Sequence, residues 1–160
     1  MPVVTDMDAQ KITLMCAVTR DDFKKVTAVT SPRLFFRRET DLVTQSMYKL
    51  VTERKDGEQS LYFVVVDTQR GQGRSWAFWK EAYDKDGKRF PLSRETQEVV
   101  SGSLVWEVAS APVSRDYLEA VSKTGTKWKI YGERAEDTFD IAPNLVQGFL
   151  AKCDETFRTR

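Results

Sequence analysis

The sequence predicts an α+β domain, mainly antiparallel β-sheet or sandwich, with two short helices, the C-terminal one amphipathic and packed on the sheet. Three observations carry this. Short runs rich in β-branched and aromatic residues recur along the chain, as in residues 61–66 (LYFVVV) and Thr126–Gly132 (TKWKIYG). The runs are joined by short turns such as Lys55-Asp56-Gly57-Glu58, and short turns connect antiparallel neighbours. Finally, Leu145, Val146, Phe149, Leu150, Cys153 and Phe157 recur at three- and four-residue steps. That is an apolar helical stripe, and a sheet face is the obvious place to bury it.

In chain order, residues 1–10 read as a flexible polar N-terminus and residues 11–158 as one globular domain. The length of 160 residues suits a single core. Residues 11–19 (KITLMCAVT) are expected to form the first strand, residues 21–25 a helical turn or a loop, and residues 26–30 a strand ended by Pro32. Residues 33–38 (RLFFRR) read as a strand whose arginines snorkel to solvent, in preference to a basic-aromatic binding patch. Residues 47–53 are strand-like. Residues 61–66 read as a central strand buried on both faces. In residues 69–74 (QRGQGR) the Gly-x-Gly lacks the lysine and helix of a nucleotide loop, so it reads as a hairpin turn.

Residues 74–90 (RSWAFWKEAYDKDGKRF) are the most conspicuous stretch. They predict an aromatic strand, a tight turn at Asp84-Lys85-Asp86-Gly87 and a short return strand. A regular strand would put Trp76 and Phe78 on one face and Trp79 on the other. Residues 93–103 read as a polar connection with a short strand or helical turn at 96–100. Residues 104–109 alternate, setting Leu104, Trp106 and Val108 opposite Val105, Glu107 and Ala109. Ser114 is a good helix N-cap, Asp116 suits the first-turn dipole, and Gly125 stops the helix. Residues 138–141 return as a strand, and Pro143 fits the first turn of the last helix.

The chain has no histidine. Serine–histidine and cysteine–histidine nucleophile systems and histidine-ligated zinc or haem are thereby excluded. Two cysteines are too few for an all-thiolate zinc site, and no cofactor or metal is expected. Asp84, Asp86 and Gly87 resemble the middle of a calcium loop, but Ala82 and Ser93 stand where its first ligand and its bidentate acid belong. Carboxylate catalysis leaves Glu81, Asp84 and Asp86, or Glu133, Glu136 and Asp137. Both sets lie at turns, where charges are normally solvated, and the expectation is a protein that is not an enzyme.

With 25 basic and 24 acidic residues, the near-neutral balance gives no electrostatic case for a nucleic-acid partner. The expected partner is a protein or a small ligand. Binding falls to Trp79, read as the exposed tryptophan, with Arg74, Tyr83 and Arg37, while Trp76 and Trp128 are assigned to the core. Cys16 and Cys153 are either a disulfide joining the chain's ends or two buried thiols. No segment reaches the ~18–20 apolar residues of a membrane span, and no signal-peptide pattern opens the chain. Membrane attachment is expected only through an N-terminal segment lying outside it.

A larger pattern then emerges. An aromatic strand (YFVVV) is followed by Trp-x-Phe-x-x-x-Ala-x-Asp-x-Asp-Gly, from Trp76 to Gly87, and by Glu107-Val108 leading to Ser114-x-x-Tyr117-Leu118. Tyr131-Gly132 and the run Pro143 to Leu150 (Pro-x-x-x-x-Gly-Phe-Leu) complete it. This resembles a group of small uncharacterised envelope proteins and lipoproteins of Gram-negative bacteria, over residues 61–154. The resemblance implies export to the periplasm or cell envelope and a non-catalytic binding or assembly role. The family often carries a cysteine pair before Ser-x-x-Tyr-Leu, where this chain has Ser101 and Ser103.

Overall fold

The structure, a computed structural model, describes residues 7–38, 44–71, 76–101 and 104–158. Its strands are antiparallel throughout. The first, β1 (Ala17–Asp21), β2 (Val26–Thr30), β3 (Leu34–Arg38), β4 (Gln45–Lys55) and β5 (Leu61–Arg70), are followed by β6 (Trp79–Asp84) and β7 (Arg89–Pro91). Then come β8 (Ser93–Ser101), β9 (Leu104–Val113), β10 (Thr126–Gly132) and β11 (Glu136–Ile141). Among the described residues there are three helices: α1 (Ala9–Met15), α2 (Arg115–Thr124) and α3 (Pro143–Phe157).

Seven strands form one sheet in the order β1-β2-β4-β5-β9-β8, with β3 also pairing β4. β2 pairs Val51 to Lys55 of β4 and β3 pairs Gln45 to Tyr48, so the two share one edge. The second sheet has the order β11-β10-β6-β7. The α+β architecture is as expected, with α3 against β2 and β4 of the larger sheet and against α1 and α2. Leu145, Val146, Phe149, Leu150 and Cys153 of its stripe are buried. Trp128, Tyr48 and Phe149 are among the largest fully buried side chains, and they mark the core between the sheets and α3.

Several elements differ from the sequence reading. Residues 11–15 are helical. Asp8 caps α1 by accepting from the Lys11 N–H, and buried Ile12 packs where Gly148 leaves α3 bare. A Cβ on Gly148 would sit 2.6 Å from Ile12 Cγ2. The β-branched run looks like a strand because that tertiary contact is invisible locally. Ala9 and Gln10 belong to α1, while residues 1–6 lie outside the described residues. Asp21 ends β1, residues 22–25 form the turn of the β1–β2 hairpin, and β8 is a full nine-residue strand. The Gly-x-Gly turn lies largely outside the described residues, as do the C-terminal Thr159 and Arg160.

The aromatic hairpin starts later than expected. Its strand opens at Trp79, because Phe78 carries a positive φ of 54°. That conformation breaks strand alternation. The Asp84–Gly87 turn forms as read, with Gly87 at φ 85°.

Candidate functional site

The two sheets meet at the segment Ala77-Phe78-Trp79. On β9, the alternation puts Val105, Glu107 and Ala109 on the inner face, so a carboxylate points inward. Glu107 is 3% exposed. Its Oε2 accepts from the Ala77 and Phe78 backbone N–H groups at 3.0 and 3.2 Å, and its Oε1 from the Trp79 N–H at 2.9 Å. Three consecutive amides thus form an internal anion nest filled by the protein's own carboxylate. On the other side, Gly132 lets β10 come so close that a Cβ there would stand 2.2 Å from the Ala77 carbonyl oxygen. Arg134 and Glu133 backbone amides donate to the Ala77 and Phe78 carbonyls. The segment is therefore held on both faces by backbone hydrogen bonding.

Trp79 is buried, at 6% exposure, which corrects the expectation that it is the exposed tryptophan. The positive φ at Phe78 turns its indole inward, where Nε1 donates to Thr68 Oγ1 at 3.2 Å. Trp76, expected in the core, is only half-buried. Trp128 is fully buried, as expected, and stacks on Phe90 with centroids 4.5 Å apart.

Beside Trp79 lies a cleft of about 310 Å³. Its hydroxyls come from the inner faces of β4 and β5 and the residue preceding β4: Ser46, Thr68 and Thr44, each no more than 3% exposed. Arg37 from β3, Arg70 from β5 and Arg134 from the β10–β11 turn bring guanidinium groups to it. Glu136 and Asp137 also line it. Asp137 holds Arg37 in a two-pronged pair at 2.5 and 3.0 Å, and Glu136 pairs with Lys129. Arg134 lies over the Phe78 ring at 5.4 Å.

The structure thus brings two of the expected binding residues, Arg37 and Trp79, to one cleft. Tyr83 is elsewhere, on the outer face of the small sheet, edge-to-face with Tyr131 at 6.0 Å. Arg74 lies outside the described residues. The hydroxyls were missed. The signal for them was parity: Ser46 shares a strand face with Tyr48 and Leu50, Thr68 with Val64 and Val66, and the two pair directly across strands.

Five of the six carboxylates weighed for catalysis, all but Asp86, have structural partners among the described residues. Glu81 pairs with Arg89, and Glu133 with Lys80. Asp84 Oδ1 accepts from the Asp86 and Lys88 amides, closing the turn. Its Oδ2 accepts from the Tyr117 hydroxyl at 2.9 Å, which in turn accepts from Trp128 Nε1 at 3.0 Å. Burial first, and the Asp84 hydrogen bond after it, push the Tyr117 phenol well above its usual range. Among the described residues no group of three or more Cys, Asp or Glu is placed to hold a metal ion.

Cys16 and Cys153 are free buried thiols, not a disulfide. Burial pushes them up to about 11 and about 12 respectively, which leaves them unreactive near neutrality. A larger open hollow of about 700 Å³ lies at the start of α3, but its charged residues are only Lys85, Lys127 and Asp140, the last two paired at 3.8 Å. No described helix is long and apolar enough to cross a membrane.

Comparison with protein-family models, curated proteins and solved structures finds no match.

Proposed function

We propose that this protein is a non-catalytic binding protein that captures a small ligand in the cleft beside Trp79, and that it works in the periplasm or cell envelope. One observation carries the binding reading: three guanidinium-bearing side chains and three buried hydroxyls from four separate segments line a single cleft of about 310 Å³. Concave sites of this size with a few convergent polar groups are the usual form of small-molecule sites. The cleft is also anchored on rigid elements, since Glu107 and Gly132 fix the Trp79 segment from both sides. The envelope placement rests on the resemblance over residues 61–154.

A fragment screen read by amide chemical-shift mapping tests the binding reading. Hits are expected to perturb Ser46, Thr68, Trp79 and Arg134 together. Fragments that cluster elsewhere, or none that reach these residues whatever their charge, overturn it. Fractionation of the native host tests the compartment, and recovery solely from cytosol removes the envelope placement.

A further inference from the structure

We propose that the outer face of the larger sheet is a docking surface for a second copy of this chain, forming a symmetric face-to-face dimer.

Strand β5 is apolar on both faces. Its inner side chains Tyr62, Val64 and Val66 belong to the core. Its outer positions Leu61, Phe63 and Val65 are apolar as well, where a sheet with one solvated face places polar residues. Leu61 is 60% exposed. Phe63 is half-buried, as are its neighbours Val51 on β4 and Val108 on β9. The register sets these side chains in rows across the sheet. Phe63 pairs with Val51 on one side and Pro112 on the other. In the next row Val65 pairs with Lys49 and with Ser110. An open hollow of about 290 Å³ lies on this face, lined by Val51, Phe63, Val65 and Val108.

Charge decides the occupant. Lys49 on β4 and Glu95 on β8 also line the hollow. The Ser110 hydroxyl donates to Glu95 Oε1 at 2.7 Å, which holds that carboxylate at the Val65 row. Neither Lys49 nor Glu95 has an oppositely charged partner among the described residues. The strands run in the order β4-β5-β9-β8, so the two charges flank a line lying between β5 and β9. A twofold rotation about that line lays the face of one copy on the other and exchanges β5 with β9 and β4 with β8. Lys49 of each copy then meets the partner's Glu95, while Phe63 meets the partner's Pro112. Sheets stacked in this way keep their strands within about 30° of each other, and a self-complementary patch is what a twofold dimer requires. An apolar small molecule has no use for a cation and an acid on opposite sides, and a different protein has no need for the two to be exchanged by a rotation. The cleft beside Trp79 opens from the inner faces of β4 and β5, so the dimer leaves it free and stands whether or not that cleft binds a ligand.

Sedimentation equilibrium of the full chain over a range of concentrations tests this, with circular dichroism to check that each variant folds. A monomer–dimer equilibrium is expected. Lys49→Glu and Glu95→Lys should each weaken it about tenfold or more, because each sets like charges against one another. Mixing the two variants should restore dimers of parental affinity, since every facing pair is then opposite in sign. A parent chain that is monomeric at every concentration overturns the proposal; an anilinonaphthalene sulfonate dye that then binds the parent but not Phe63→Ser would give the face to an apolar ligand. A dimer indifferent to both charge reversals, or folded variants that fail to pair on mixing, puts the interface elsewhere and overturns it too.

Discussion

Trp79 and Thr68 join the two sheets through a single 3.2 Å hydrogen bond from the indole nitrogen to the hydroxyl. The tryptophan that the sequence offers as an exposed binding surface is instead a buried strut, and it acts on the cleft by orienting a neighbour. Trp79→Phe keeps most of the apolar contact and removes only the donor. It should leave the fold intact and cost about 1 kcal/mol of stability. Urea melts of the variant and the parent protein check this.

Glu107 should matter more to stability than any surface ion pair. Truncation in Glu107→Ala strands the three backbone amides of Ala77, Phe78 and Trp79. Each buried donor left without a partner costs about 1–3 kcal/mol, so a total loss of at least about 3 kcal/mol is expected in urea denaturation. Glu107→Gln retains one acceptor oxygen and should lose less. By contrast Lys127→Ala, which breaks an exposed 3.8 Å pair with Asp140, should change stability by less than about 0.5 kcal/mol.

The glycines separate two kinds of constraint. Gly132→Ala drives a Cβ to 2.2 Å from the Ala77 carbonyl oxygen, which is backbone and cannot step aside. A loss above about 3 kcal/mol, or failure to fold, is expected. Gly57→Ala meets nothing within 4 Å but keeps a φ of 80°, and should cost only about 1 kcal/mol. Paired thermal melts distinguish the two, and similar losses at both positions would contradict the close approach.

These positions also show where sequence reasoning stops. The strand runs, the Ser114 cap, the Asp84–Gly87 turn and the α3 stripe are local patterns, and they were legible. What escaped depends on contacts distant in sequence. Residues 11–15 become a helix because Gly148, far along the chain, makes room for Ile12. Trp79 turns inward because Phe78 takes a positive φ, which the Glu107 carboxylate accommodates from another sheet. In the cleft, Arg37 and Trp79 were named, Trp79 as an exposed residue on the far face of a regular strand, although it is buried. The hydroxyls were hidden because serine and threonine in strands look like ordinary surface residues until the face they occupy is known.

The cysteines give a pH signature. Burial raises Cys16 and Cys153 from 9.0 to about 11 and about 12. Above pH 9 the unfolded chain loses thiol protons that the folded chain keeps, so unfolding is favoured as pH rises. Their contribution is complete below pH 9 and is lost progressively as pH climbs through 11 to 12. A Cys16→Ala, Cys153→Ala double variant should show a flatter stability profile between pH 9 and 11. Thiol titration at pH 8 should find neither group reactive in the native protein and two after unfolding without reductant. Zero after unfolding would mean a disulfide.

The most direct test of the central claim is the indole N–H resonance of Trp79 when the fragment screen is run on isotope-labelled protein. A saturable shift of that signal is predicted, with the Trp128 indole, bonded to Tyr117 away from the cleft, unmoved. A Trp79 signal that stays fixed with every fragment that binds would contradict the account.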